Sequence, residues 1–213
     1  MWVNPLFDET HRASAVELVR AHPLATVVVG APVRVAHVPV LLTERPDGAL
    51  ELVGHMPRVD PVVEGLEAGE RAVVVFHGAR SYVSPAWYTA PGLPTYNYLV
   101  AHLEGVPTVM DDPEDLRAHL LKLIASEEGR AGADVPWTPD EVAEARMEQL
   151  MPLICGFRIP VERFQAKAKL GQNRSAADQR SVADVLAGSP ASDDRIIAAR
   201  MADSSNERSP RAD

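Results

Sequence analysis

The densest run of chemically useful side chains in this chain lies between His77 and His102. It reads His77-Gly78-Ala79-Arg80-Ser81-Tyr82-Val83-Ser84-Pro85-Ala86-Trp87-Tyr88, continues as Pro94-Thr95-Tyr96-Asn97-Tyr98, and closes on Ala101-His102. The chain is 5% aromatic, and a large share of its rings falls here among hydroxyl, amide and imidazole groups. Flat apolar faces beside a few aimed polar groups suit a planar cofactor. The same residues would equally serve as a Tyr- and Trp-rich sheet core with polar tips satisfied by backbone. On this run alone both readings stand.

The elements that would position these groups can be read from periodicity and turn chemistry. Residues 9–21 suit a helix with an Ala15, Val16, Leu18 and Val19 stripe, ended by Pro23. Leu24 to Val29 is a β-branched strand, and 33–55 reads as a hairpin turning at Arg45-Pro46-Asp47-Gly48. Pro39 lacks a ladder donor, which places His37-Val38-Pro39 at a sheet edge. Asp60 caps a helix that begins at Pro61 and stops at Gly69. Ala72 to Phe76 is a strand, and Tyr96 to Met110 holds two more around Gly105. Asp111-Asp112-Pro113-Glu114 then opens a helix, Gly129 to Pro136 is a loop, and Thr138 caps a second helix running to about Leu150. Leu153 to Phe164 is a further strand, with helices over 175–187 and 193–202. Six or seven strands with helices between and after them indicate a small β-barrel carrying helical additions. This gives one domain over residues 1–203, a helical insertion at about 111–150, and a disordered tail over 204–213.

Composition narrows the function. The chain has 213 residues and a formal net charge of -9, which argues against a nucleic-acid partner, since that affinity comes from clustered Lys and Arg. Its single cysteine, Cys155, excludes an internal disulfide framework and a multi-thiolate metal site; its apolar neighbours mark it as buried packing. There is no basic-then-apolar leader and no apolar run of membrane-spanning length. The expectation is a cytoplasmic protein with no membrane partner. The acidic groups Glu127, Glu128, Asp140, Glu141, Glu144 and Glu148 read as solvated helix faces. No paired-carboxylate site, HExxH motif or phosphate-cradling glycine loop is present in the sequence.

Several segments together resemble the PaiB-like, FMN-binding negative transcriptional regulator family. They are Ala36-His37-Val38-Pro39, Gly54-His55-Met56-Pro57-Arg58, Val75-Phe76, Tyr82-Val83-Ser84-Pro85-Ala86-Trp87-Tyr88, Pro94-Thr95-Tyr96-Asn97-Tyr98, Gly156-Phe157 and Lys167-Ala168-Lys169-Leu170-Gly171-Gln172-Asn173-Arg174. The resemblance implies an α+β fold, a flavin-binding split β-barrel with helical insertions and C-terminal helices, and a homodimer. The chain departs from the family pattern at Tyr96, Asp60, Ala79, Arg80, Ser81, Ala166 and Gly171, and carries His77 where many members do not. These departures, and the extra histidine, resemble the heme-dependent piperazate synthase branch, whose members cyclise N5-hydroxyornithine to piperazic acid.

The resemblance implies heme b, or alternatively FMN, and a small amino-acid substrate. A heme needs a neutral, firmly oriented axial ligand, most often histidine. Of the strand-borne histidines His37, His55, His77 and His102, His55 is the first candidate metal ligand and His77 the second. His11 and His22 read as solvated, and His119 as lying on the polar face of its helix. Lys169 and Tyr98 are the candidate general acid/base groups, because N–N bond formation requires an amine to lose a proton. Arg58, Tyr82, Ser84, Trp87, Thr95, Asn97, Gln172 and Asn173 are the candidate cofactor-binding groups. A flavin would use Arg58 or Lys169 at its phosphate and Trp87 or Tyr98 beside its rings. Three classes therefore compete: heme lyase/cyclase, FMN-binding protein and transcriptional regulator.

Overall fold

The computed structural model describes residues 1–8 and 12–208, and of 12–15 and 205–208 the backbone alone. In chain order the elements are α1 (Arg12–Ala21), β1 (Leu24–Val29), β2 (Arg34–Glu44), β3 (Leu50–Pro57), α2 (Val62–Glu67), β4 (Ala72–Val83), β5 (Thr95–Gly105), β6 (Thr108–Met110), α3 (Pro113–Ala131), α4 (Glu141–Leu150), β7 (Ile154–Pro160), β8 (Arg163–Lys169), α5 (Ala176–Ala187) and α6 (Ser192–Arg208). The strands follow the order β6-β7-β3-β2-β1-β4-β5-β8. The chain divides into two compact units. The first comprises Met1–His22, Phe76–His102 and Gln165–Asp213; the second comprises Pro23–Val75 and Leu103–Phe164.

In the second unit β2 is an interior strand, which corrects the edge expected from Pro39. Residues 34–39 of β2 pair antiparallel with β1, ending at Leu24↔Pro39. From Val40 onward β2 pairs with β3 instead. Pro39 thus sits where the strand exchanges neighbours, a position at which a missing N–H costs no ladder bond. The β2–β3 turn forms as expected: Arg45 N donates to Ala49 O at 2.8 Å and Gly48 takes φ +78°.

β3 also pairs with β7, with Gly54 opposite Phe157 and His55 opposite Gly156. Both glycines are required by close approach. A Cβ on Gly54 would lie 2.5 Å from Phe157 Cζ, so the fully buried Phe157 ring rests on the bare backbone of β3. A Cβ on Gly156 would lie 2.9 Å from Leu116 Cδ1 and 3.0 Å from Met110 Sδ, so α3 settles closely over β7. That approach buries Leu116, His119 and Leu123. Each buried leucine contributes about 1.5–3 kcal/mol relative to exposure. Asp112 caps α3 by accepting from Glu114 N at 2.9 Å, as the Asp-Pro-Glu signal predicts.

The first unit has its own core, in which Ala79, Val83 and Leu99 of β4 and β5 meet Val182 and Leu186 of α5 and Ile197 and Met201 of α6. α5 is capped by Ser175, whose hydroxyl accepts from Asp178 N at 3.1 Å. Asp194, in the first turn of α6, accepts from Ser81 Oγ and Ser189 Oγ, both at 2.6 Å, which anchors the helix to β4.

Several boundaries differ from the sequence expectation. Among the described residues eight strands form rather than six or seven. The 153–164 run splits into β7 and β8 after Pro160, where Val161 N donates to Leu50 O and Glu162 N to Glu104 O, both at 2.9 Å. β4 continues to Val83 because the His77–Val83 segment still offers an alternating side to the core. α3 runs through Gly129 to Ala131 and ends on Gly132 at φ +70°, the left-handed stop that glycine supplies. α4 is capped by Asp140, which accepts from Ala143 N at 2.8 Å, rather than by Thr138. α6 extends to Arg208, through the start of the segment expected to be a tail; residues 209–213, like His11 and the start of the 9–21 helix, lie outside the described residues.

Candidate functional site

The predicted site residues fall into two groups, one in each unit. His55 and Arg58 lie in and just after β3 in the second unit, and the rest lie in the first.

In the first unit the aromatic run forms an exposed corner. β4 brings out Tyr82, the 3-10 turn Pro85–Trp87 turns Trp87 beside it, and β5 adds Tyr96. Tyr82 meets Trp87 edge-on at 6.5 Å and Tyr96 edge-on at 5.8 Å between centroids. Tyr82 and Tyr96 remain 48% and 55% exposed, so this corner is a ring-bearing surface rather than sheet core. Ser84 caps the turn, accepting from Ala86 N at 3.3 Å. Behind it, buried Asp178 accepts from Thr89 N and Thr89 Oγ1, both at 2.7 Å, and from Ala90 N at 3.3 Å. The Thr89 hydroxyl above all holds that carboxyl below its ordinary range.

Lys169, at the end of β8, donates from Nζ to Thr95 Oγ1 on β5. Burial pushes its ammonium below the ordinary 10.5; Tyr98 opposes that push, while Lys167 and Arg174 add to it. The Tyr98 ring carries a different lysine: Lys167 Nζ stands 5.4 Å from its centroid and also lies 5.6 Å from Trp2 and 6.0 Å from Phe7. Asn97 is buried, its Nδ2 against Met201 Sδ at 3.4 Å and its Oδ1 without a partner. Gln172 folds back on its own turn, accepting from Leu170 N at 2.7 Å and donating to Ala168 O at 2.6 Å. Asn173 is exposed, and the Arg174 guanidinium covers the Tyr88 ring at 4.3 Å.

In the second unit the central finding is a histidine pair. His55 Nδ1 lies 3.1 Å from His119 Nε2, with the rings edge-on at 5.3 Å and 69°. The sequence reading placed His119 on the polar face of its helix. It is instead 4% exposed, because α3 presses Leu116 against β7 and brings the next turn of the helix onto His55. Burial lowers the pKa of His55 and, together with the charges of His55, Arg158 and Lys122, lowers that of His119 to about 4. Both imidazoles are therefore neutral near pH 7, the state in which histidine binds metals. Arg158 ties the frame together, reaching Glu51 on β3 at 3.3 Å and Asp115 on α3 at 3.2 Å. His119, Arg158, Thr43 and Lys122 line an open cleft of about 320 Å³. Arg58 donates to Ile154 O at 3.1 Å and pairs with Glu67 at 3.8 Å.

Among the other strand histidines, His37 and His77 are exposed, with His37 Nδ1 3.0 Å from Thr26 Oγ1, and His102 is half-buried. Among the described residues no group of three or more His, Cys, Asp or Glu side chains could hold a bare metal ion. No helix among them is long and apolar enough to cross a membrane. Cys155 is buried and its thiol is pushed up by burial, as its apolar context predicts.

The donor set was tested against the two cofactors that the resemblance implies. A heme asks for a neutral imidazole held by its second nitrogen and for an apolar slot for its ring; the His55–His119 pair offers the first, while the cleft beside it is lined by His119 with the charged Glu51, Asp115, Lys122 and Arg158. A flavin asks for ring-stacking surface and phosphate donors. Tyr82, Trp87 and Tyr96 supply the former, while Arg58 and Lys169 are the available cations.

Comparison with known proteins accords with this geometry. The model of the family described as "Putative FMN-binding domain" matches residues 1–163. The protease synthase and sporulation protein PAI 2 of Bacillus subtilis is 29% identical over 189 residues, covering 87% of this chain and 89% of its own length. A solved FAD- and heme-binding protein from Mycobacterium smegmatis superposes with a TM-score of 0.56 at 19% identity, over 85% of this chain and 80% of that one. A conserved hypothetical protein from Mycobacterium tuberculosis gives a TM-score of 0.56 at 13% identity, over 82% and 94%. The match to the family model runs through β1 to β7 and the strand order is that of an α+β split barrel: this chain belongs to the FMN-binding domain family.

Proposed function

We propose that this protein binds heme through His55 and is an enzyme forming a nitrogen–nitrogen bond, cyclising N5-hydroxyornithine to piperazic acid. The observation that carries the heme assignment is the His55–His119 pair: a half-buried imidazole, its pKa lowered by burial, whose Nδ1 is in contact with His119 Nε2 at 3.1 Å. The substrate assignment rests on the departures from the family pattern at Asp60, Ala79, Arg80, Ser81, Tyr96, Ala166 and Gly171 and on the additional His77, which resemble the piperazate synthase branch. A solved protein of the same fold is described as binding both FAD and heme, so the fold admits either kind of cofactor.

The reaction breaks the substrate's N–O bond, joins the α-nitrogen to the side-chain nitrogen and releases water. The chemistry that a bound heme supplies is activation of that N–O bond. The protein's task is to take a proton from the α-amine as it attacks. Lys169 is the candidate the sequence offers for this role: within the first unit, burial favours its neutral form and Thr95 holds its Nζ. Tyr98, on the same strand as Thr95, is the second acid/base group.

The test is the absorption spectrum of protein expressed with ample heme precursor and riboflavin. A Soret band that disappears in H55A supports the assignment, and an H55A variant that keeps its full Soret band refutes it. FMN binding is the second reading, favoured by the exposed Tyr82–Trp87–Tyr96 corner; a yellow protein with no Soret band would establish it.

A further inference from the structure

We infer that the first unit carries a small-molecule site of its own, a pocket between α1 and α6 that takes a free aliphatic α-amino acid of leucine size: the side chain enters the pocket, the ammonium meets Glu17 and the carboxylate meets Arg200. The site is independent of the heme reading, and nothing in its test involves heme.

The walls come from elements of that one unit. Ala21 lies three residues from Leu18 and four from Glu17, so the three share one face of α1. Ile196 and Arg200 share one face of α6 for the same reason. β5 adds Leu99 and β8 adds Ala166 and Ala168, and all of these line one pocket.

The space exists because the side chains at its floor are short. Ala166 and Ala168 are each 1% exposed and offer only methyl groups, and Ala21 adds a third. Leu18 is seated on β4 instead of over them: a Cβ on Gly78 would lie 2.5 Å from Leu18 Cδ1. The remaining cavity is about 110 Å³ and its walls are chiefly apolar. An apolar cavity of about 150 Å³ takes a six-carbon ring, so this one takes roughly four or five carbons, the size of a leucine or isoleucine side chain.

The mouth selects the head group. Glu17 and Arg200 stand 3.8 Å apart on the two helices, a carboxylate beside a guanidinium. An amino acid presents the complementary pair, an ammonium joined through one carbon to a carboxylate. Glu17 is 74% exposed and Arg200 29%, so their own contact is a loose, solvated pair that contributes little and opens readily. A guanidinium has five N–H donors, which one carboxylate does not exhaust. Lys167 also borders the pocket, but its Nζ is committed over the Tyr98 ring at 5.4 Å, and His22 completes the rim. A bare fatty acid would meet Glu17 as a like charge, and a bare amine would meet Arg200 as one; the zwitterion satisfies both. The polar side chain of hydroxyornithine would gain nothing from an alanine floor, which sets this ligand apart from the proposed substrate.

The test is calorimetric titration of the full chain with leucine, alanine, 4-methylpentanoate and 3-methylbutylamine, read in parallel through the alanine methyl signals of carbon-13-labelled protein. Leucine should bind and shift the Ala21, Ala166 and Ala168 methyls. Alanine, which lacks the side chain that fills the pocket, should bind at least about tenfold more weakly. 4-Methylpentanoate and 3-methylbutylamine, each missing one head group, should bind about three- to tenfold more weakly than leucine. R200Q should erase the advantage of leucine over 3-methylbutylamine, and E17Q its advantage over 4-methylpentanoate. A21L, which fills the pocket from the exposed end of α1, should abolish the shifts of Ala166 and Ala168. Methyl signals unmoved by leucine overturn the inference, as does equal binding of alanine and leucine. Wild-type protein that binds 4-methylpentanoate as tightly as leucine holds a simple carboxylate, and the zwitterion assignment fails. It fails equally if leucine keeps both advantages in R200Q and E17Q. If A21L does not fold, the ligand series and the two charge variants still decide.

Discussion

The contact between Gly54 and Phe157 sets the position of the strand that carries His55, and it can be tested by a double-mutant cycle. In G54A the new methyl carbon would lie 2.5, 3.0 and 3.2 Å from Phe157 Cζ, Cε1 and Cε2. Carbon atoms pack at about 3.5–4.0 Å, so the ring must retreat by roughly 1 Å. It is fully buried and has nowhere to go without moving its neighbours. Such overpacking costs about 1–3 kcal/mol. F157A alone leaves a cavity and costs about 3–5 kcal/mol. In the double variant the alanine methyl occupies space that the ring has vacated, so the two losses should not add. The expected relief is about 1–2 kcal/mol, within the range seen for residues in contact. Urea unfolding at 25 °C, followed by circular dichroism with slopes compared across the four proteins, measures it. Because His55 follows Gly54 directly, G54A should also weaken heme uptake. Additivity within about 0.3–0.5 kcal/mol would show that the ring is not seated on the glycine. The register Gly54↔Phe157 would then be wrong, and the placement of His55 with it.

The remaining predictions concern protons. His119 has a folded-state pKa of about 4 against an ordinary 6.5, so its contribution to stability is complete above pH 6.5 and is lost as the pH falls toward 4. That loss is on the order of 3 kcal/mol, and H119L should flatten the urea-stability profile across this window; an unchanged profile refutes the burial argument. Lys169 lies below its ordinary 10.5, so cyclisation should rise with pH through the lowered value, and K169M should abolish turnover while leaving the Soret band intact. A K169M enzyme with wild-type turnover removes Lys169 from the chemistry. The Asp178 carboxyl is held below its ordinary 3.8, first by the Thr89 hydroxyl, so the loop it clamps should loosen only as the pH falls below that value. D178A should speed amide exchange at Thr89 and Ala90 at neutral pH, and unaltered exchange would show that the clamp does not hold the loop.

The elements were legible where one local signal decided them. β1 formed over Leu24–Val29 because a β-branched run has one good conformation, and α3 began at Pro113 because Asp112 and Glu114 flank it with cap chemistry. Boundaries were missed where tertiary pairing overrode the local signal. Pro39 looks like an edge residue until β2 is seen to change partners beside it. Pro160 interrupts what reads as one strand, and each half finds its own neighbour. The site was legible as a set of types but not as an arrangement. Nothing in the sequence distinguishes His119 from a solvated helical histidine, since Lys122 and Arg117 on the same helix suggest a polar face. Its burial follows from Gly156, 37 residues away, which admits Leu116 and so fixes where α3 lies. A glycine opposite a candidate ligand was the available signal.

The choice between heme and flavin turns on which polar groups are already committed. Arg58, half-exposed, spends one N–H on Ile154 O and pairs with Glu67, and its remaining donors are open to an anion. Both ends of Gln172 are used in its own turn, and Ser84 caps the turn before Trp87. Each keeps a donor to spare: the Ser84 hydroxyl only accepts, from Ala86 N, and Gln172 Nε2 uses one of its two N–H groups. A flavin phosphate needs several such donors at once. A heme would need an axial nitrogen, for which His55 is the candidate with its Nδ1 3.1 Å from His119 Nε2, and an apolar slot for its ring. The absorption spectrum of the loaded protein therefore decides between the heme proposed here and the FMN of the family description.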